Sequence, residues 1–189
     1  MKVERTAIPE VLVLEPKVFG DARGFFYENY NRRTFAQAAG LDVDFVQDNH
    51  SRSTRNVLRG LHYQLKQPQG KLVRATVGEI WDVVVDLRRG SPSFGRWVGT
   101  TLDAVSRRML WVPPGFAHGF LVLSEHAEVQ YKATDYYAPE HERTLLWNDP
   151  ALAIPWPLAG QPAATPTISD KDRRGLPLAS AETFDGGAR

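Results

Sequence analysis

The chain has 189 residues and a mass of 21.2 kDa, and its 42% hydrophobic content is enough to bury a core, which excludes fibrous, collagen-like and largely disordered classes. Its 23 Lys and Arg against 22 Asp and Glu leave a formal charge of +1, so there is no global field to gather nucleic acid or an anionic membrane. It has no cysteine, which excludes disulfides, thiolate catalysis and Cys-ligated metals and suits a reducing compartment.

The start of the chain carries charges at Lys2, Glu4 and Arg5 and a break at Pro9, a pattern that does not fit a signal peptide. Apolar runs such as 83–85 are far shorter than the roughly 20 residues of a membrane helix. No repeat or low-complexity tract divides the sequence. We therefore expect one soluble domain over 1–189, with no nucleic-acid or membrane partner.

Short segments rich in β-branched and aromatic residues, punctuated by Gly and Pro, predict an antiparallel protein of many strands. A helix is predicted over 32–39, with Asn31 as N-cap and Gly40 as the stop, and a second helical turn is predicted after Ser169. This pattern predicts an all-β jelly-roll barrel or sandwich with one or two short helices. The predicted strands cover 11–14, 25–30, 44–51, 58–65, 71–77, 79–87, 96–102, 108–112, 119–123, 127–135 and 143–147.

Two further segments carry expectations about packing. Every second residue from Trp81 to Leu87 is apolar and Asp82 and Asp86 lie between them, which predicts one packed face and one polar or functional face. The proline-rich stretch 149–168 predicts an irregular arm that docks against the β-structure, and residues 182–189 are expected to fray.

Amides, histidines and arginines crowd the segment 47–64, between strand-like apolar positions. Arg52 and Arg55 fit the solvated edge of a sheet. His62 lies within the run 58–65, where it is either a satisfied core histidine or a general base oriented by a carboxylate. The residues alone leave both readings open.

Inward-facing side chains of such a barrel line a cavity, and three further polar side chains and four cations are candidates for it. Tyr131 and Tyr137 lie on the same face if their strand is regular. Their rings either pack against neighbouring strands or present phenols that donate protons. His118 follows a turn that contains Pro113 and Gly115, and its imidazole either caps that turn or is free to contact a ligand. Four cationic side chains are also candidates, namely Arg23, Arg59, Lys71 and Lys171. If the fold keeps them apart, each is simply solvated, whereas if the fold brings them together they form a site for a diphosphate.

The five histidines lack the paired spacing of a dedicated metal site, and neither a Gly-rich phosphate loop nor a G-x-S-x-G nucleophile motif is present. Metal-dependent, nucleotide-triphosphate and serine-hydrolase chemistries are therefore disfavoured.

Six motifs, in order along nearly the whole chain, resemble the dTDP-4-dehydrorhamnose 3,5-epimerase family. Any one of them would be modest support, whereas together they are highly specific. They are DARGFFYE (21–28), QDNHSRSTRNVLRGLHYQ (47–64), GKLVRATVGEIWDVVVDLRRGSPSFGRW (70–97), WVPPGFAHGF (111–120), YKATDYYAPEHE (131–142) and ISDKD (168–172).

The resemblance implies a cupin-type jelly roll that acts in the cytoplasm without metal or organic cofactor. It implies a homodimer in which N-terminal strands, about 1–28, are exchanged between subunits, while 149–189 form an arm and tail. The implied reaction converts dTDP-4-dehydro-6-deoxy-D-glucose to dTDP-4-dehydro-L-rhamnose by inversion at C3 and C5, a step towards activated L-rhamnose.

The resemblance also assigns roles to residues. It makes His62 the base, Asp172 its partner and Tyr131 the opposed acid. Lys71 takes the place of the lysine that stabilises the oxyanion at O4, and Tyr137 that of the aromatic that stacks on thymine. The nucleotide and its diphosphate are held, by the same correspondence, by Arg23, Glu28, Gln47, Asn49, Arg59, His118, Glu142 and Lys171.

Three alternatives stay open on the sequence. The first is a mono-epimerase that inverts only C3 or C5 of a related dTDP-4-keto sugar. The second is a catalytically silent cupin that binds sugar nucleotides or serves as a scaffold, and such a protein should have lost His62, Asp172 or Tyr131. The third is a metal-dependent cupin oxygenase, against which the missing H-x-H pair counts.

Overall fold

A computed structural model describes residues 1–158 and 165–185 of the chain. The described residues form thirteen strands, two short helices and a 3₁₀ turn at Pro139–His141. The helices are α1 (Arg32–Ala39) and α2 (Asp170–Arg173). The strands are β1 (Lys2–Arg5), β2 (Leu12–Glu15), β3 (Val18–Asp21), β4 (Gly24–Tyr27), β5 (Gln47–Thr54), β6 (Leu58–Gln64), β7 (Lys71–Val77), β8 (Glu79–Asp86), β9 (Trp97–Asp103), β10 (Met109–Val112), β11 (Phe116–Val122), β12 (His126–Ala133) and β13 (Glu142–Thr144).

Two antiparallel sheets make up the body of the fold. The larger has the order β1-β2-β10-β7-β12-β5, and the smaller has the order β13-β6-β11-β8-β9. Strands β3 and β4 form a separate hairpin. Consecutive strands such as β5 and β6 belong to different sheets, as in the predicted jelly roll. The predicted all-β, double-sheet class is therefore confirmed.

The main core lies between the sheets, where residues such as Val73, Val84 and Val129 are almost fully buried. A second cluster covers the outer face of the smaller sheet, where Val83 and Val85 pack with the C-terminal arm. Both faces of β8 are consequently buried, whereas its alternation predicted one packed and one polar face. The arm supplies the apolar cover that the local pattern does not reveal.

Helix α1 begins and ends as predicted. The Asn31 side chain accepts a hydrogen bond from the Thr34 N–H, and Gly40 takes the left-handed conformation, with φ of 70°. Phe35 is the buried residue of the helix, and it packs edge-on against Trp111 on the outer face of the larger sheet. The capping residues at its two ends were therefore sufficient to predict where this helix begins and ends.

The described part of the C-terminal arm docks on the smaller sheet, as predicted. Trp156 stacks edge-on against Trp81 at 5.2 Å, and the Trp97 indole N–H donates to the Leu152 carbonyl. Residues 159–164 of the predicted arm lie outside the described residues. The expectation of a frayed tail is wrong for 182–185, because the Phe184 N–H bonds the Leu87 carbonyl at 3.0 Å. Residues 186–189 lie outside the described part.

Within the described ranges, no helix is both long enough and apolar enough to span a bilayer.

Candidate active site

A cavity of about 350 Å³ opens between the two sheets. Strands β5, β7 and β12 line it from the larger sheet, and β6, β11 and β13 from the smaller one. Ten of the predicted site residues line it, namely Gln47, Asn49, Arg59, His62, Lys71, His118, Tyr131, Tyr137, Glu142 and Lys171. The cations predicted from separate motifs, apart from Arg23, therefore converge on one site.

His62 and Asp172 form a hydrogen-bonded pair at the edge of this cavity. His62 Nε2 lies 2.5 Å from Asp172 Oδ1, and the Gly60 N–H reaches Asp172 Oδ2 at 3.4 Å. A neutral imidazole that donates its Nε2–H to the carboxylate keeps its lone pair on Nδ1. Burial lowers the pKa of His62, although Asp172 opposes the shift. The ring is therefore mostly neutral at neutral pH, as a general base must be.

The C-terminal arm brings Asp172 to His62. The Leu58 N–H donates to the Thr167 carbonyl at 3.0 Å, and the Thr167 N–H donates to the Asn56 carbonyl at 2.9 Å. Just beyond this clamp, Ser169 caps α2 by accepting from the Asp172 N–H at 3.1 Å. The cap fixes the first turn of the helix and points the carboxylate of Asp172 at the imidazole.

Lys71 and Tyr131 lie on neighbouring strands of the opposite sheet. Lys71 is only 9% exposed, and burial lowers its pKa to about 8. Burial also raises the pKa of Tyr131, with a further contribution from Glu142, so the phenol stays protonated at neutral pH. The cavity thus holds an ammonium group and a phenol proton across from a neutral imidazole.

A second histidine–aspartate pair lies next to the first. His118 on β11 is register-paired with His62 on β6, and His118 Nε2 lies 2.9 and 3.0 Å from the two carboxylate oxygens of Asp82. The imidazole thus contacts Asp82 rather than capping the preceding turn. Asp82 is fully buried and was not predicted as a site residue. The sequence did carry a signal for Asp82, because the apolar alternation in β8 placed this residue on the face predicted to be polar or functional.

The mouth of the cavity is a hydrogen-bonded network of polar side chains. Glu142 accepts from Lys171 Nζ at 2.8 Å and from the Tyr137 hydroxyl at 3.0 Å. Although burial opposes it, the bond from Lys171 lowers the pKa of Glu142 and keeps the carboxylate charged. Gln47 accepts from the Tyr137 backbone N–H and donates to Asn49. Tyr137 is half exposed and lines the cavity, so its side chain is accessible to a ligand there.

Two predicted binding residues lie outside the cavity of this single chain. Arg23 lies at the tip of the β3–β4 hairpin, where its exposed side chain bonds Asp21. Glu28 follows the hairpin and accepts from Asn31 and Thr34 at the start of α1. Neither residue lines the cavity with the other candidates.

Sequence reasoning missed four residues that line the cavity, namely Ser51, Gln69, Gly119 and Phe120. Gly119 lies against Gly60 of the adjacent strand, where an added Cβ would be 2.5 Å from the Arg59 carbonyl oxygen. The paired glycines, in the LRGL and AHGF segments, were a readable signal of close backbone approach. Over residues 1–158 and 165–185, no three His, Asp or Glu side chains group as a metal site would need.

Comparison with known proteins yields one family. The model of the dTDP-4-dehydrorhamnose 3,5-epimerase family matches residues 5–180. A dTDP-4-dehydrorhamnose 3,5-epimerase of Pseudomonas aeruginosa is 62% identical over 184 residues, which cover 97% of this chain and 99% of that protein. One from Salmonella typhimurium is 58% identical over 173 residues, or 91% and 92% of the two chains. The resemblance drawn from the six motifs is confirmed.

Solved structures agree with the sequence relatives. A dTDP-6-deoxy-D-glucose-3,5-epimerase of Legionella pneumophila, in complex with dTDP-4-keto-L-rhamnose, matches with a TM-score of 0.94 and 47% identity over 99% of both chains. A 3'-monoepimerase of Streptomyces bikiniensis, in complex with dTDP-quinovose, matches with a TM-score of 0.88 and 34% identity over 98% and 93%. The cupin-type fold expected from the resemblance is confirmed.

Proposed function

The chain belongs to the dTDP-4-dehydrorhamnose 3,5-epimerase family, and we propose that it converts dTDP-4-dehydro-6-deoxy-D-glucose to dTDP-4-dehydro-L-rhamnose. The observation that carries the proposal is one cavity lined by His62, whose Nε2 is bonded to Asp172, and by Tyr131 from the opposite sheet. Inversion at carbon needs a base on one side of a ring and an acid on the other.

The reaction begins at the ketone. The C4 carbonyl acidifies the hydrogens on C3 and C5, because the carbanion left by either proton is delocalised as an enolate onto O4. His62 removes the proton through Nδ1, while Asp172 holds Nε2–H and stabilises the imidazolium that forms. The buried Lys71 ammonium stabilises the negative charge on O4.

Tyr131 completes the inversion by donating its phenol proton to the other face of the enolate carbon. The raised pKa of its hydroxyl keeps that proton available at neutral pH. After the first inversion His62 releases its extra proton to water and the Tyr131 phenolate regains one from water, so the same two groups act again at the other carbon. Both inversions then follow with no cofactor in the proposed chemistry.

The nucleotide lies, in this proposal, towards the mouth of the cavity. Arg59 and Lys171 supply positive charge for the diphosphate, and the accessible ring of Tyr137 stacks on thymine. Gln47, Asn49, His118 and Glu142 supply the remaining polar contacts that the family resemblance implies. We place the enzyme in the cytoplasm, as the same resemblance implies.

Arg23 and Glu28 reach a nucleotide only if the protein is a homodimer, which we also propose. Phe19, Phe25 and Phe26 of the β3–β4 hairpin are more than half exposed, at 53%, 60% and 71%. Such an apolar surface fits an interface between subunits. The hairpin then carries Arg23 and Glu28 into the site of the second copy.

Deuterium exchange tests the reaction. The purified protein is incubated with the 4-keto sugar nucleotide in D₂O, and C3 and C5 are followed by NMR. Deuterium at both carbons of the inverted product is expected. A mono-epimerase would label one carbon only, and no label at either carbon would contradict the epimerase assignment.

A hybrid dimer tests the exchanged hairpin. The Arg23→Ala and His62→Asn homodimers should both have low epimerase activity. In the heterodimer formed by co-expressing the two variants, one site combines an intact His62 with an intact Arg23 from the other subunit. Activity of the purified heterodimer well above both homodimers is expected. Activity no higher than the homodimers, or a monomeric mass by light scattering, would overturn the exchange.

A further inference from the structure

We propose that Phe120 holds the C6 methyl group of the sugar and thereby makes the site selective for 6-deoxy ketosugars. This inference deepens the proposed function and rests on it. Among the described residues that line the cavity, Phe120 is the only one whose side chain is entirely hydrocarbon. Apart from Gly119, which has no side chain, the others carry nitrogen or oxygen. An apolar group of a ligand therefore has one matching surface in this cavity.

Phe120 lies where the cavity meets the main core of the protein. The residue is only 5% exposed, and it belongs to the buried cluster between the two sheets that also contains Val73 and Val84. Tyr131, the proposed acid, packs against the same cluster. The mouth of the cavity, in contrast, carries the charged pair of Glu142 and Lys171. The cavity is therefore polar at its mouth and apolar where it reaches the core.

The strand register places Phe120 next to the proposed base. On β11, His118 and Phe120 are two residues apart and so lie on the same face of the sheet. His118 is opposite His62 on β6, and Phe120 is opposite Arg59. Alternate residues of a strand are about 7 Å apart, so these two rows of side chains are neighbours. A ring held at His62 therefore extends towards the row of Phe120 and Arg59.

The chemistry of the sugar places its methyl group in that second row. C1 and C5 both flank the ring oxygen, so the diphosphate on C1 and the methyl group on C5 lie at the same end of the ring. With the diphosphate at Arg59, as proposed, the methyl group comes to Phe120. Burying a methyl group against an aromatic ring is favourable, whereas a C6 hydroxyl would leave water and find no polar partner on that ring.

A double-mutant cycle between the protein and the sugar tests this contact. Exchange at C3 in D₂O is measured with the 4-keto-6-deoxyhexose nucleotide and with a 4-ketopentose nucleotide, which lacks C6 and adds no new group. In the wild-type protein, loss of the methyl group should lower kcat/KM about tenfold. In Phe120→Val, whose shorter side chain no longer reaches the methyl group, the same loss should be about threefold or less.

Phe116→Val is the matched control. Phe116 lies on the same strand and in the same buried cluster, and it is 3% exposed, but it does not line the cavity. Its variant makes the same change in the core and should keep the tenfold difference between the two sugars. If Phe120→Val does not fold, Phe120→Leu decides the question by the same criterion.

The outcomes separate this inference from the function on which it rests. A tenfold difference retained in Phe120→Val, or an equal reduction in Phe116→Val, would overturn the methyl contact. Equal kcat/KM for the two sugars in the wild-type protein would also overturn it, while leaving the epimerase assignment intact. An absence of exchange with the 6-deoxyhexose nucleotide in the wild-type protein would instead contradict the proposed function itself.

Discussion

His62 Nε2 and Asp172 Oδ1 are 2.5 Å apart although 110 positions separate the two residues in the chain. The contact depends on the clamp between Thr167 and the start of β6 and on the Ser169 cap of α2. One side chain comes from strand β6, and the other comes from the C-terminal arm, which pairs in parallel with the chain at the start of that strand. The pair therefore forms only when the C-terminal arm is docked.

Replacing His62 by Asn should abolish turnover and leave dTDP binding nearly unchanged, because the base contacts the sugar rather than the nucleotide. Loss of a general base lowers the rate by about 10²–10⁴-fold. Exchange at C3 and C5 measures the loss, and calorimetric titration with dTDP measures the binding. His50→Asn is the matched control, since His50 lies on the outer side of β5 and pairs with Glu128. Full activity in the His62 variant would remove this residue from the mechanism.

Tyr131→Phe should separate abstraction from inversion. Without the phenol proton, His62 still forms the enolate, so deuterium should enter at one carbon while inverted product forms at least about tenfold more slowly. NMR of the recovered sugar reports label and configuration together. Tyr137→Phe, which keeps the stacking ring and loses the bond to Glu142, should invert both carbons. Unchanged inversion in Tyr131→Phe would point to another acid.

Turnover should depend on pH in a bell shape. His62 acts when neutral, and burial lowers its pKa, so activity should rise with pH through a value below 6.5. Lys71 acts when protonated, and burial lowers its pKa to about 8, so activity should fall as the pH rises through about 8. In Lys71→Arg, whose guanidinium keeps its proton, the falling limb should move to higher pH. Initial rates across the range measure both limbs, and an unmoved falling limb would assign it to another group.

Gly119→Ala should destabilise the fold and weaken activity together. The added methyl would meet the Arg59 carbonyl oxygen at 2.5 Å, which forces β6 and β11 apart next to His62 and His118. Such overpacking costs about 1–3 kcal/mol of unfolding free energy. Chemical denaturation measures the loss. Gly20→Ala is the control, because its nearest neighbour would be an ordinary 3.6 Å away. Equal stability of the two variants would contradict the close-packing argument.

Much of the fold was predictable because its signals are local. Helix α1 was predicted from Asn31, Phe35 and Gly40, and the strands from alternation and turn residues. Strands β1 and β3 were missed. Their residues are mostly exposed and show no apolar alternation, and β1 is held chiefly by backbone pairing with β2.

The sequence by itself determined which chemical groups are present, the class of fold and, through six motifs, the family. Tertiary structure alone decided which groups meet: Asp82 with His118, Glu142 with Lys171, and His62 with Asp172. The physical reason is the distance along the chain over which each interaction acts. Helix capping, turns and apolar alternation involve residues a few positions apart, so a short segment of sequence is enough to predict them. Contacts between sheets and across the arm depend on how strands distant in the chain pack, which no local pattern encodes.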